Sequence, residues 1–285
     1  MSRARQITNL LFAALTLFFS VSARGAEPKT PIEGIEDNSF LVEEAYNQEE
    51  GVVQHIFNAV YSKDPKQRGW AFNLTQEWPV FSQDHQFSYT IPSYHLREDG
   101  EAVRGIGDVL LNYRYQLLEE ADCLPAFAPR FSLILPTGNR HKGTGDGAVG
   151  YQWQLPFSKK FPPQFAVHAN FGLTYLPKVR APLDAGGLSP RRSLVSYNLG
   201  ASAIFAFTSR FHAMVEWVGN FEESLNGNGK TEHDFIAMIS PGVRASVIEK
   251  EGLQTVVGVA LPIGLTRASN SFGVLLYLSI EHKLF

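Results

Sequence analysis

The chain has 285 residues, of which 25 are Lys or Arg and 28 are Asp or Glu, a balance that gives no electrostatic reason for a nucleic-acid partner. Aromatics make up 12% and charged residues 19%, which excludes a disordered polypeptide and favours β-strands. The single cysteine, Cys123, excludes an intramolecular disulfide.

In chain order, residues 1–23 come first. Arg3 and Arg5 precede an apolar run over 10–19 that leads to Val21-Ser22-Ala23, the small-residue pattern of a secretory signal cut after Ala23. A cut after Ala26 is the alternative. The apolar run of about ten residues falls short of the roughly 20 that a spanning helix needs. Segment 24–50 is acidic, with Glu33, Glu36, Asp37, Glu43, Glu44, Glu49 and Glu50, and lacks alternation. It is expected to be a periplasmic N-terminal extension; the other reading is a plug that enters a lumen.

From 51 to 285 the recurring signal has period two. Residues 51–61 follow it loosely. Then Trp70, Phe72, Leu74 and Trp78 oppose Asn73, Thr75 and Glu77, and Phe87, Tyr89 and Ile91 oppose Gln86, Ser88 and Thr90. Over 105–117, Val109, Leu111, Tyr113, Tyr115 and Leu117 oppose Asp108, Asn112, Arg114 and Gln116. The pattern continues at 127–135, 151–157, 165–175, 195–207 and 211–221, and more loosely at 233–248, 253–263 and 272–284. These are about 12 strands of the length that crosses a bilayer when tilted. The connections VFSQD, TSR and EKEG are tight, whereas LREDGEAVR, NRHKGTGDG, PKVRAPLDAGGLSPRR and EESLNGNGKTE are long and rich in Gly and charge.

In lipid every backbone N–H and C=O must be paired between strands, and closure removes the sheet edge. A soluble sandwich also alternates, but an export signal and many bulky apolar faces favour the membrane. The expected fold is therefore all-β, a transmembrane antiparallel up-and-down β-barrel of about 12 strands in the outer membrane of a Gram-negative bacterium. Trp70, Trp78, Tyr89, Tyr151, Trp153, Tyr175 and Trp217 are candidates for interfacial girdles. The terminal strand ends at Phe285, the kind of residue that barrel-assembly machinery reads, although Phe285 has the opposite parity to Leu276, Leu278 and Ile280.

Parity places Glu77, Asp108, Asn112, Arg114, Arg130, His168, Glu216, Arg244 and Glu281 inward, together with Lys283. They are expected to pair into a network that fills the lumen or to line a permeation path, with Arg114 and Arg130 sharing Asp108 or Glu77. Chemistry is weakly signalled. His168-Ala169-Asn170 and Tyr94-His95 are the hints of a lipid hydrolase, yet His168 points inward and no Gly-x-Ser-x-Gly occurs. His141 and His233 sit in separate loops without ligand spacing, and GTGDG (143–147) is followed by no Lys-Ser/Thr, so neither a metal, a cofactor nor a catalytic residue is predicted.

The stretches GIGDVLLNYRYQL (105–117), APRFSLILPTGN (128–139) and GTGDGAVGYQWQLPFSK (143–159) resemble the family of outer-membrane barrels named for the MetA pathway of phenol degradation. The resemblance is strongest over 105–175. It implies a transport barrel that passes small aromatic or apolar compounds, and it carries no established site residues. The expected function is passage of small solutes through a polar-lined lumen gated by loops 137–146 and 177–192, with outer-membrane lipids as surroundings. The alternatives are a structural or assembly barrel with a blocked lumen, and a lipid hydrolase.

Overall fold

The computed structural model describes residues 39–63, 67–98, 100–269 and 272–284. The expected signal segment, residues 24–38 and Phe285 lie outside them. The strands are β1 (Val52–Lys63), β2 (Gln67–Val80), β3 (Ser82–Glu98), β4 (Glu101–Ile106 and Val109–Tyr115), β5 (Ala126–Phe127 and Arg130–Leu135), β6 (Gly150–Phe161), β7 (Phe165–Val179), β8 (Arg192–Thr208), β9 (Phe211–Leu225), β10 (Thr231–Lys250), β11 (Leu253–Ala260 and Ile263–Gly264) and β12 (Phe272–Lys283). Each pairs antiparallel with the next. Closure is complete because β12 returns to β1, from Val52 opposite Lys283 to Lys63 opposite Phe272. Among the described residues the helical content is one 3₁₀ turn, Arg140–Lys142.

Period two explains which side each residue faces. Phe57, Phe72, Phe131, Trp153, Phe171 and Val215 are exposed on the outer surface. Gln54, Asn112, Arg114, Ser132, His168 and Glu216 are buried inside. This is the reverse of a soluble sandwich, in which the apolar face would be the buried one. An exterior of this kind suits hydrocarbon.

Aromatic rings gather at two levels. Trp78 lies 6.0 Å from Phe87 and 5.4 Å from Tyr89, and Phe127 lies 4.5 Å from Phe157, all towards the end at which β1 begins and β12 finishes. Tyr61–Trp70 at 5.3 Å and Phe221–Phe235 at 4.4 Å mark the other level. The two levels have the placement of interfacial girdles.

Connections differ between the two ends. Phe81 alone joins β2 to β3, in the left-handed region (φ 68) and 97% exposed, and 209–210 and 251–252 are connections of two residues each. At the opposite end run the longer 136–149 and 180–191. One expected loop is mostly strand: LREDGEAVR stays paired out to Glu98 opposite Glu101. Beyond the hydrocarbon both faces of a hairpin meet water, so polarity no longer ends the strand.

Of the acidic N-terminal segment, residues 39–50 are described. Residues 39–50 do not extend away from the barrel; they descend inside it, from Phe40 at mid-lumen to a turn at the short-loop end where Val52 N donates to Glu49 O (3.1 Å). Phe40 packs against Ile56, Ile204, Met214, Val256, Leu275 and Tyr277. Gly242 and Gly258 line this pocket, and a Cβ at either would overlap the Phe40 ring.

Candidate functional site

The lumen is defined by what the inward residues do to this inserted segment. An irregular chain inside a barrel has backbone groups that no strand can pair, so side chains must. Glu216 on β9 accepts from Leu41 N (2.8 Å) and Val42 N (3.0 Å) through one oxygen. Ser158 Oγ on β6 accepts from Ala45 N (2.7 Å), and Gln86 Oε1 accepts from Gln48 N (2.8 Å). Carbonyls are met likewise: Arg114 donates to Glu44 O (3.0 Å) and Tyr46 O (2.8 Å), and Gln116 to Ala45 O (2.9 Å).

Side chains of the plug reciprocate. Glu43 takes Arg130 Nε at 2.9 Å and Arg114 Nη1 at 3.4 Å. Tyr46 OH donates to Glu120 (2.5 Å), and Asn47 Nδ2 to Gln83 O and Asp84 O (3.0 and 2.9 Å), which ties the plug to the short-loop end. Arg114 is 2% exposed and also donates from Nε to Asn47 Oδ1 (2.8 Å).

Each residue singled out by parity can now be placed. Glu77 is buried, accepts from Gln86 Nε2 (2.8 Å) and stands 3.9 Å from Arg114. Asn112 donates to Ser88 Oγ (3.1 Å) and accepts from Arg130 (2.8 Å). Arg244 is buried with its Nε 3.4 Å from His212 Nδ1. Glu281 is half-buried near the short-loop end, in register with Gln54. Asp108 differs from expectation: it serves neither arginine but accepts from Gly138 N and Asp146 N, both at 2.8 Å. The carboxylate that Arg114 and Arg130 share is Glu43 instead.

That sharing had a readable cause. Arg114 and Arg130 are direct cross-strand partners on one face, and like charges directly opposite are destabilising. An anion must sit across both, and Glu77 reaches only Arg114.

His168 lies in a constellation worth testing as chemistry. Its Nδ1 is 2.8 Å from Ser158 Oγ and its Nε2 is 3.5 Å from Glu44 Oε1. However, Ser158 is 1% exposed, and its oxygen already accepts the plug amide Ala45 N. No acyl group can reach it while the plug is seated, so the trio fastens the plug. Among the described residues no group of three or more His, Cys, Asp or Glu has the arrangement to hold a metal ion.

Two cavities lie towards the long-loop end. One of about 550 Å³ sits against the plug, bounded by Phe40, Glu43, Asn112, Arg130, Ile134 and Tyr277. A second of about 360 Å³ is bounded by Arg140, Arg180, Leu194 and Glu223. Tyr94, Thr144, Gly145 and Asp146 line both, so loop 136–149 is the partition between them. The partition is pinned by the Asp108 bonds, by Asn139 N to Thr144 Oγ1 (2.9 Å) and by Arg140 Nη2 to Gly147 O (2.8 Å). Burial, with the neighbouring Asp108 carboxylate adding to it, holds the Asp146 carboxyl above the usual aspartate range.

No protein-family model matches the chain, and no curated protein matches it. Among solved structures, the COG4313 outer membrane channel from Pseudomonas putida F1 is similar over 84% of this chain and 97% of that one, at 12% identity and a TM-score of 0.64. The NanC porin matches over 81% and 100% at 9% identity and a TM-score of 0.49. The Pseudomonas putida toluene transporter TodX matches over 90% and 100% at 10% identity and a TM-score of 0.40. The first of these is a likeness of fold.

Proposed function

We propose that this chain is an outer-membrane channel for small solutes whose lumen is closed at rest by its own N-terminal segment. The observation that carries the reading is the way the plug is held: through hydrogen bonds, the Glu43 ion pairs and the packing of Phe40, Ala45 and Tyr46, with about 550 Å³ of mixed polar and apolar space on its outer side. A plug fastened in this way can leave, and a solute with an apolar face and hydrogen-bonding groups suits the space it guards. The barrel reaches its membrane with the help of assembly machinery acting on the terminal strand. The likeness to a solved outer membrane channel supports the same reading.

Planar-bilayer recording is the test. The full chain is expected to show infrequent discrete openings, and a chain lacking residues 24–48 to conduct continuously. A barrel sealed in both forms would mean a structural protein, the rival that the seated plug itself favours.

The partition loop adds a pH dependence. An acid whose pKa is raised by packing destabilises the packed state as pH climbs from the ordinary aspartate range through the raised value, and ceases to do so once protonated. Loop 136–149 should therefore pack more firmly as pH falls. Conductance of the plug-deleted barrel is expected to rise with pH, and Asp146→Asn to flatten that rise at the low-conductance level. An identical profile in Asp146→Asn would remove Asp146 from the gate.

A further inference from the structure

The outer surface of β1 to β4 carries a row of cations above the aromatic level at the long-loop end. Lys63 on β1 is directly opposite Arg68 on β2, and Arg68 is directly opposite Arg97 on β3. His95, two residues below Arg97, is opposite Arg104 on β4. Lys63, Arg68, Arg97 and Arg104 are all exposed. Their parity is that of Tyr61, Trp70 and Phe72, which lie next below on the same face, with Ile106 exposed beside Arg104. Among the described residues none of the four side chains has an ion-pair or hydrogen-bond partner.

Like charges directly opposite across a ladder repel, and here two such pairs run through three strands. Elsewhere in this barrel the same situation, Arg114 opposite Arg130, is resolved by an anion seated across both, Glu43. On the outer rim no group among the described residues fills that role. The free face borders an apolar, aromatic surface, so its complement is a molecule with phosphates at one end and acyl chains at the other.

We infer that Lys63, Arg68, Arg97 and Arg104 form a docking surface for a phosphorylated glycolipid of the outer leaflet, of the lipid A class. The inference rests on the membrane placement proposed above, with the long-loop end outward because outer-membrane barrels have short periplasmic turns and longer extracellular loops. The cations meet the phosphates through charge-assisted hydrogen bonds, which arginine makes in bidentate form, while Tyr61, Trp70, Phe72 and Ile106 meet the proximal acyl chains. A soluble phosphate would use the cations and leave the aromatic surface idle.

Thermal unfolding of the full chain in neutral detergent tests this, with four additives compared: diphosphorylated lipid A, the same lipid stripped of both phosphates, phosphatidylcholine, and inorganic phosphate. The expected result is a midpoint raised by several degrees by diphosphorylated lipid A alone. The rise should be lost in the combined Lys63→Gln, Arg68→Gln, Arg97→Gln, Arg104→Gln variant. Equal stabilisation by the stripped lipid or by inorganic phosphate, or a full rise in the variant, would overturn the proposal. Heat-modifiable gel mobility, retained in the variant, shows that it still folds. Bilayer conductance of the native chain reports on the channel reading separately, so the two can fail independently.

Discussion

Glu43→Ala is expected to unseat the plug and raise the open probability of the reconstituted barrel about thirtyfold. Removing one partner of a buried ion pair typically costs about 3–5 kcal/mol, because the remaining charge stays buried without compensation. Here that charge is doubled, since Arg114 and Arg130 face each other across the ladder. Glu43 is 21% exposed and Glu77 remains 3.9 Å from Arg114, so solvent and the second carboxylate reduce the cost to about 2 kcal/mol. At 1.4 kcal/mol per tenfold, that loss falls on the plug-in state alone, because the departed plug makes neither contact. Glu43→Gln keeps an acceptor without the charge and should lie between. Arg210→Ala is the control: its pair with Glu249 is 63% and 48% exposed at the short-loop end, and its removal should leave conductance unchanged. Native-like gating in Glu43→Ala would show that the shared carboxylate does not hold the plug.

Period two is a strong signal in this chain because each strand separates two solvents. Phe165, Val167 and Phe171 face outward while His168 and Asn170 are buried, and that contrast can be read residue by residue without knowing any partner. Where the contrast stops, so does legibility. The continuation of β3 and β4 past Leu96 was invisible because water bathes both faces there. Asp108 reads as a lumen residue by parity, but its carboxylate is taken by amides of a loop about 30 residues on, a pairing no local pattern reveals. The plug is only the second reading of the sequence for a related reason. Residues 39–50 form no ladder, so their burial leaves no periodicity, and their partners Arg114, Ser158 and Glu216 lie far along the chain. The one available clue was a charge count across the ladder, two arginines in register with too few carboxylates beside them.

Phe171→Arg should prevent stable assembly, whereas Phe171→Leu should be nearly neutral. Phe171 is exposed near the middle of β7, with Leu155 of β6 and Leu199 of β8 as its ladder partners. A guanidinium there finds apolar neighbours on both sides and lipid in front. At about 3.3 Å per residue and a tilt near 40°, the nearer interface is roughly 15 Å away, too far for an arginine to snorkel fully. The cost on the lipid face at mid-membrane is about 2–4 kcal/mol, a large share of a stability that is marginal in folded proteins generally. Leucine removes ring contacts but keeps the transfer free energy of the site. The measurement is denaturant unfolding in phospholipid vesicles, followed by tryptophan fluorescence, with the heat-modifiable band as the count of closed barrels. An arginine variant as stable as the native chain would mean that the apolar outer face meets something other than hydrocarbon.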